Sequence, residues 1–181
     1  MSMMETGSCG SSPTSRGQFD HLLVSGSGPQ YVPFPELDAV TIRQGVERIV
    51  LSVQTVRLAR AVLQPPGSLL LIAGTNGRRP SAGPVICAVT AAMPALVRSL
   101  AFELAPVRVN LLAPGFVDTP LSAAILGKEL DARREQLRAS LPIRRVVQAA
   151  DVAALALDIM VNTAVTGATF DVDGGQQLVE G

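Results

Sequence analysis

The chain has 181 residues, 48% hydrophobic and 17% charged, which suits one domain with a sizeable core and excludes disorder throughout. Fifteen basic and fifteen acidic residues cancel, so bulk charge does not draw the chain to nucleic acid or to an anionic membrane. Two distant cysteines, Cys9 and Cys87, make neither a disulfide framework nor a zinc site. Residues 1–18 are rich in Ser, Gly, Thr and Pro and are expected to form a disordered leader. The start shows no basic segment followed by an apolar one, so no signal peptide is expected. No apolar run approaches ~18 residues, so no membrane span is expected, and the cytoplasm is the expected compartment.

His21-Leu22-Leu23-Val24 reads as a short strand, with His21 solvated at its edge. Ser25-Gly26-Ser27-Gly28 follows, but Pro29, Pro33 and Pro35 prevent the helix that would hold a pyrophosphate. Asp38 to Leu63 reads as a long helix with Ile42, Val46, Ile49, Val53, Val56 and Leu63 on one face, stopped by Pro65-Pro66-Gly67. Ser68-Leu69-Leu70-Leu71-Ile72 is an apolar run of the kind found in a strand buried on both faces. Ala73 to Pro84 is a glycine-punctuated loop, and its Arg78-Arg79 pair reads as a solvated pair in preference to a phosphate site. Val89, Met93, Leu96, Val97, Leu100 and Leu104 give the next helix an apolar face, with Cys87 a small buried residue near its start and Pro94 in its interior. Pro106 ends it. Val107 to Leu112 forms a strand that turns at Ala113-Pro114-Gly115.

Pro120 to Ser140 holds helical stretches around Leu121–Ile125 and Asp131–Leu137. Asp151 reads as the N-cap of a helix over Val152–Val161. Ala168 to Val172 is the last strand, and Asp171 and Asp173 alternate along its end, which explains them more simply than a metal pair. The pattern gives an α/β fold with a parallel sheet of about four strands, centred near Leu23, Leu70, Val109 and Phe170, with flanking helices.

Three pieces in order, Arg98-Ser99-Leu100-Ala101-Phe102-Glu103-Leu104-Ala105-Pro106, Val107-Arg108-Val109-Asn110 and Pro114-Gly115-Phe116-Val117-Asp118-Thr119, resemble the short-chain dehydrogenase/reductase family over residues 19–179. The resemblance implies a nicotinamide-dependent oxidoreductase on a Rossmann-type sheet, here its C-terminal half. The family's first three strands and their phosphate loop have no counterpart in the sequence. Thr6-Gly7-Ser8-Cys9-Gly10 does not replace that loop, because no apolar strand precedes it and Pro13 follows. The family uses residues 120–140 as a lid over substrate.

The family's catalytic asparagine, serine, tyrosine and lysine fall on Leu51, Ala73, Ile86 and Thr90. None of these can donate or relay a proton near neutral pH as the family's groups do. The one tyrosine, Tyr31, and the one lysine, Lys128, cannot form Tyr-x-x-x-Lys in any register. The expected function is therefore an inactive pseudoenzyme acting as scaffold or partner subunit. The alternatives are an atypical or truncated NAD(P)-dependent oxidoreductase, and a non-redox cyclase or isomerase working in the old substrate cleft. No catalytic or metal residue is assigned. Pro114, Gly115, Val117 and Thr119 match the loop that in the family touches the nicotinamide; no tight cofactor is expected, NAD(P) if any. The family resemblance further implies a homo- or hetero-oligomer through the 38–63 and 85–104 helices. The exposed 22–24 strand edge is a second contact, expected to be covered by the leader, a second subunit or a partner.

Overall fold

The computed structural model describes residues 18–26, 28–80 and 83–179. The leader, except Gln18, and the readings at Thr6–Gly10 and Cys9 lie outside the described residues. Four parallel strands form one sheet in the order β1 (Phe19–Val24), β2 (Leu63–Ile72), β3 (Arg108–Pro114) and β6 (Thr169–Val172). A two-residue pair, β4 (Val117–Asp118) with β5 (Val147–Gln148), stands beside it. Helices α1 (Ala39–Ala59) and α2 (Pro84–Glu103) connect β1 to β2 and β2 to β3. Helices α3 (Pro120–Leu126) and α4 (Leu130–Ser140) lie between β4 and β5, and α5 (Ala149–Val161) precedes β6.

The apolar runs in β2 and β3 follow from burial on both faces. Leu69, Leu71, Val109 and Leu111 pack with Val56 of α1 and with Met93 and Val97 of α2. Their alternates, Leu70 and Leu112, pack with Ala156 and Ile159 of α5. A polar stripe crosses that second face. In register, Ser68 lies opposite Arg108 and Leu70 opposite Asn110. The buried Arg108 guanidinium donates to the carbonyls of Met160 (2.6 Å), Asn162 (2.6 Å) and Ile159 (3.2 Å) at the end of α5. A cation there satisfies carbonyls that the helix leaves open and opposes its negative end. Asn110, fully buried, donates to Val165 O (3.0 Å) and accepts from Ala168 N (3.1 Å), which seats the entry to β6.

Several boundaries differ from the sequence reading. Helix α1 begins as expected, with the Asp38 carboxylate accepting from Thr41 N at 2.7 Å, but it ends at Ala59. Leu63 opens β2, and Pro65-Pro66-Gly67 lies inside that strand, where the register against β1 jumps between Phe19–Leu63 and His21–Ser68. Gly67 is required at this irregularity, because an added Cβ would sit 2.3 Å from Asp20 O. Ile42, Val46 and Val53 are exposed; only Val56 and Ala59 of α1 are buried. Asp151 is not the N-cap of α5 but its third residue, and it accepts from Gln148 N at 2.8 Å in a capping box. His21 is not merely solvated: its Nδ1 lies 2.8 Å from Ser68 Oγ. Helix α2 does have the length and composition of a membrane span, contrary to expectation. Its inward residues Met93 and Val97 belong to the sheet core, which accounts for that composition.

Leu70→Ala leaves a cavity between sheet and α5 and is expected to lower unfolding free energy by about 2–5 kcal/mol in urea titration. The Arg145 guanidinium, bonded to Asp151 at 2.5 and 2.9 Å, and the Gln148 amide hold the Asp151 carboxyl at a pKa of about 2. Because the folded pKa lies below the unfolded one, this contribution is present above about pH 4 and is lost as pH falls toward 2. Asp151→Asn is therefore expected to lower the melting temperature at pH 7 more than at pH 2.5.

Candidate functional site

In open α/β sheets ligands bind beyond the carboxyl ends of the strands. Here the segments following β1, β2, β3 and β6 enclose a cleft of about 640 Å³, closed on one side by α3 and α4. Pro114, Gly115, Val117 and Thr119, the four positions singled out in the sequence, all line it. Gly115 is needed for packing: an added Cβ would lie 2.6 Å from both Asp173 Cβ and Gln176 Oε1. Phe116 N donates to Gln176 Oε1 at 2.9 Å. Asp173, buried, accepts from the amides of Gly175 (2.9 Å) and Gln177 (3.1 Å), so it organises the turn after β6. Thr119 caps α3, accepting from Ser122 N at 3.2 Å while its own amide donates to Ser122 Oγ at 2.9 Å.

The α3–α4 wall is fixed by charge. Arg134 on α4 grips Asp118 of β4 with two bonds, 3.0 and 2.7 Å, and pushes that carboxyl below the usual carboxylate range. Leu137 on α4 packs with Leu141 and Val146, and Phe116 leans on this cluster. The wall presents Leu121, Ile125, Leu126 and Arg133 to the cleft.

The Arg78-Arg79 pair separates. Arg78 bonds Asp171 at 2.7 and 3.2 Å, and Arg79 lines the cleft, donating to Val179 O. Arg133 enters from α4, 5.9 Å from the centroid of the Phe116 ring and 2.7 Å from Gln136 Oε1. Partial burial, and then the Arg79 charge, lower its pKa. Tyr31 also lines the cleft, with its hydroxyl 3.5 Å from Asn76 Nδ2. Sequence reading identified Tyr31 as the sole tyrosine and noted Arg79, but their convergence with Arg133 joins three segments far apart in the chain and leaves no local spacing.

None of the four positions that correspond to the family's catalytic groups lines this cleft. Leu51 is 52% exposed on α1, and Ala73 packs on the sheet core. Ile86 is buried beside a separate small hollow with Val32, Leu37 and Gly45. The Thr90 hydroxyl donates to Ile86 O at 2.8 Å, within its own helix. Along residues 114–119 the cleft is lined by Pro114, Gly115, Phe116, Val117 and Thr119. The Phe116 and Thr119 amides and the Thr119 hydroxyl are already engaged. The positions of the family's catalytic groups, Leu51, Ala73, Ile86 and Thr90, place no side-chain proton donor in this cleft.

Residues 46–177 match the family model described as Enoyl-(Acyl carrier protein) reductase. The chain belongs to the short-chain dehydrogenase/reductase family. It is 29% identical over 151 residues to short-chain dehydrogenase/reductase malC of Malbranchea aurantiaca, covering 80% of this chain and 57% of that one. The solved structure of that protein, titled MalC Reductase/Diels-Alderase, superposes with a TM-score of 0.82 at 24% identity, covering 89% and 63%. Comamonas testosteroni 4-formylbenzenesulfonate dehydrogenase TsaC1/TsaC2 is 31% identical over 171 residues, 87% of this chain and 67% of the relative. A small-chain dehydrogenase crystallised with NADPH gives a TM-score of 0.83 at 30% identity, covering 90% and 75%. The chain spans about half the length of the curated relatives first matched, 57%, 42% and 49%.

Gly115→Ala forces apart Gly115, Asp173 and Gln176 and is expected to cost about 1–3 kcal/mol in denaturant unfolding.

Proposed function

We propose that this chain is a non-redox member of its family that serves as a partner subunit. The observation that carries the reading is the identity and setting of residues 51, 73, 86 and 90. A carbonyl reduction of the family type needs a proton donor tuned near the working pH and placed at the substrate oxygen. Ile86 supplies no proton, and the Thr90 hydroxyl is turned back on its own helix.

The surface supports a subunit role. Val40, Ile42, Val46, Val50, Leu51, Val53 and Leu58 leave α1 with a broad exposed apolar face. Such a face on one helix is characteristic of an interaction site. Helices α1 and α2 pack tightly at Gly45, where an added Cβ would lie 2.3 Å from Val85 Cγ1. Their outer sides thus form one paired surface, the surface through which the family resemblance implies assembly. At the sheet edge, Phe19 and Leu23 are also exposed among the described residues.

A second reading is favoured by the preserved cleft: non-redox chemistry, of cyclase or isomerase type, on a bound substrate. The malC relative's structure is titled as both a reductase and a Diels-Alderase. A pericyclic reaction needs shape and orientation but no proton donor.

With NADH or NADPH and a panel of aldehydes and ketones, the purified chain is expected to show no loss of absorbance at the reduced-nicotinamide band. Cofactor is also expected to cause no saturable rise in melting temperature at micromolar concentration. Steady turnover would refute the non-redox reading. In sedimentation equilibrium the chain is expected to self-associate or to bind a family partner, and Val46→Asp/Val50→Asp to weaken that association at least tenfold. A wild-type chain that stays monomeric and binds no family member would refute the subunit role.

A further inference from the structure

We propose that the cleft is a binding site for amphipathic organic anions, molecules with an apolar body and one carboxylate or sulfonate. The proposal rests on the reading above that this cleft has left nicotinamide chemistry.

The lining carries the argument. Two guanidiniums, Arg79 and Arg133, reach the cleft from separate segments of the chain, and among the described residues no aspartate or glutamate lines it. In a chain of zero formal net charge this local imbalance is a feature of the fold. Among the described residues, the carboxylates of the surrounding elements are committed elsewhere: Asp118 to Arg134, Asp171 to Arg78, and Asp173 to backbone amides. Among the described residues neither Arg79 nor Arg133 forms an ion pair. Their bonds go to neutral oxygens, Val179 O and Gln136 Oε1. The two cations also oppose each other, since Arg79 contributes to the lowered pKa of Arg133. An anion between them relieves that repulsion and accepts charge-assisted hydrogen bonds in a partly desolvated site. Tyr31 and Asn76 add neutral donors to the lining.

The rest of the wall selects the body of the ligand. Phe116, Leu121, Ile125 and Val152 give the cleft an apolar lining, and its volume suits a molecule of drug-like size. Small inorganic anions would leave that lining wet. Neutral apolar molecules would leave the guanidiniums unpaired.

A matched pair of fluorescent probes tests this without nucleotide. Anilinonaphthalene sulfonate and N-phenylnaphthylamine share one ring system and differ in the sulfonate. The wild-type chain is expected to bind the sulfonate at least tenfold more tightly, with salt weakening only that probe. Arg79→Gln/Arg133→Gln is expected to lower sulfonate affinity about tenfold or more and to leave the neutral probe unchanged. Equal affinity for the two probes overturns the proposal, as does a salt-independent preference. Unchanged sulfonate binding, or equal loss of both probes in a variant whose circular dichroism and melting temperature match wild type, also overturns it. The salt series on the wild-type chain decides the matter if the variant does not fold. Carbonyl turnover with NADPH would overturn the non-redox reading while leaving this probe comparison independent.

Discussion

The guanidinium of Arg108, buried under the end of α5, is the constraint on which the rest of the molecule depends. Strands β2 and β3 carry leucine and valine on both faces, so apolarity alone would tolerate either face toward either helix layer. Ser68, Arg108 and Asn110 remove that freedom. They place a polar stripe on the α5 face, where the helix leaves open carbonyls and the following loop needs both a donor and an acceptor. A slip of one residue would drive a cation and an amide into the Val56–Met93–Val97 cluster. With the register fixed, the ends of the strands are fixed as well. Pro114-Gly115 then falls beside the turn after β6, and the cleft opens there.

Around that cleft the molecule keeps the family's framework, while Leu51, Ala73, Ile86 and Thr90 stand where the family has its catalytic groups. The turn at Gly115 is held by Asp173 and Gln176, and Thr119 starts a properly capped α3. All these contacts are internal, so the walls persist for packing reasons whatever the cleft contains. The positions that would have acted on a carbonyl have turned apolar or satisfied their own backbone.

The strands were legible in the sequence because burial on both faces writes itself as an uninterrupted apolar run. Turn residues were legible at Pro114-Gly115, where packing against Asp173 leaves no space for a side chain. Helix faces were legible only in part. Periodicity in α1 showed an apolar side, but it could not show that Ile42, Val46 and Val53 lack cover within the chain. Leu63 fitted the helical spacing and also the start of a strand, and pairing with Phe19 decides for the strand. Asp151 carried the right chemistry for a helix start but sits three residues inside it. The cations of the cleft were least legible. Arg79 and Arg133 are 54 residues apart (133 − 79), and the closure of α4 onto β4 through Arg134 and Asp118 brings them to one cleft.

Fourteen of the fifteen basic residues are arginine, and the exception, Lys128, lies exposed in the short turn between α3 and α4. Reagents that acylate primary amines therefore find one side chain to modify, and it stands in the turn that joins the two helices walling the cleft. A dye attached there would report on that turn, with the α-amino group as the other amine to be told apart, by its lower pKa. The same scarcity leaves enzymes that tag lysine side chains a single point of attack on this protein.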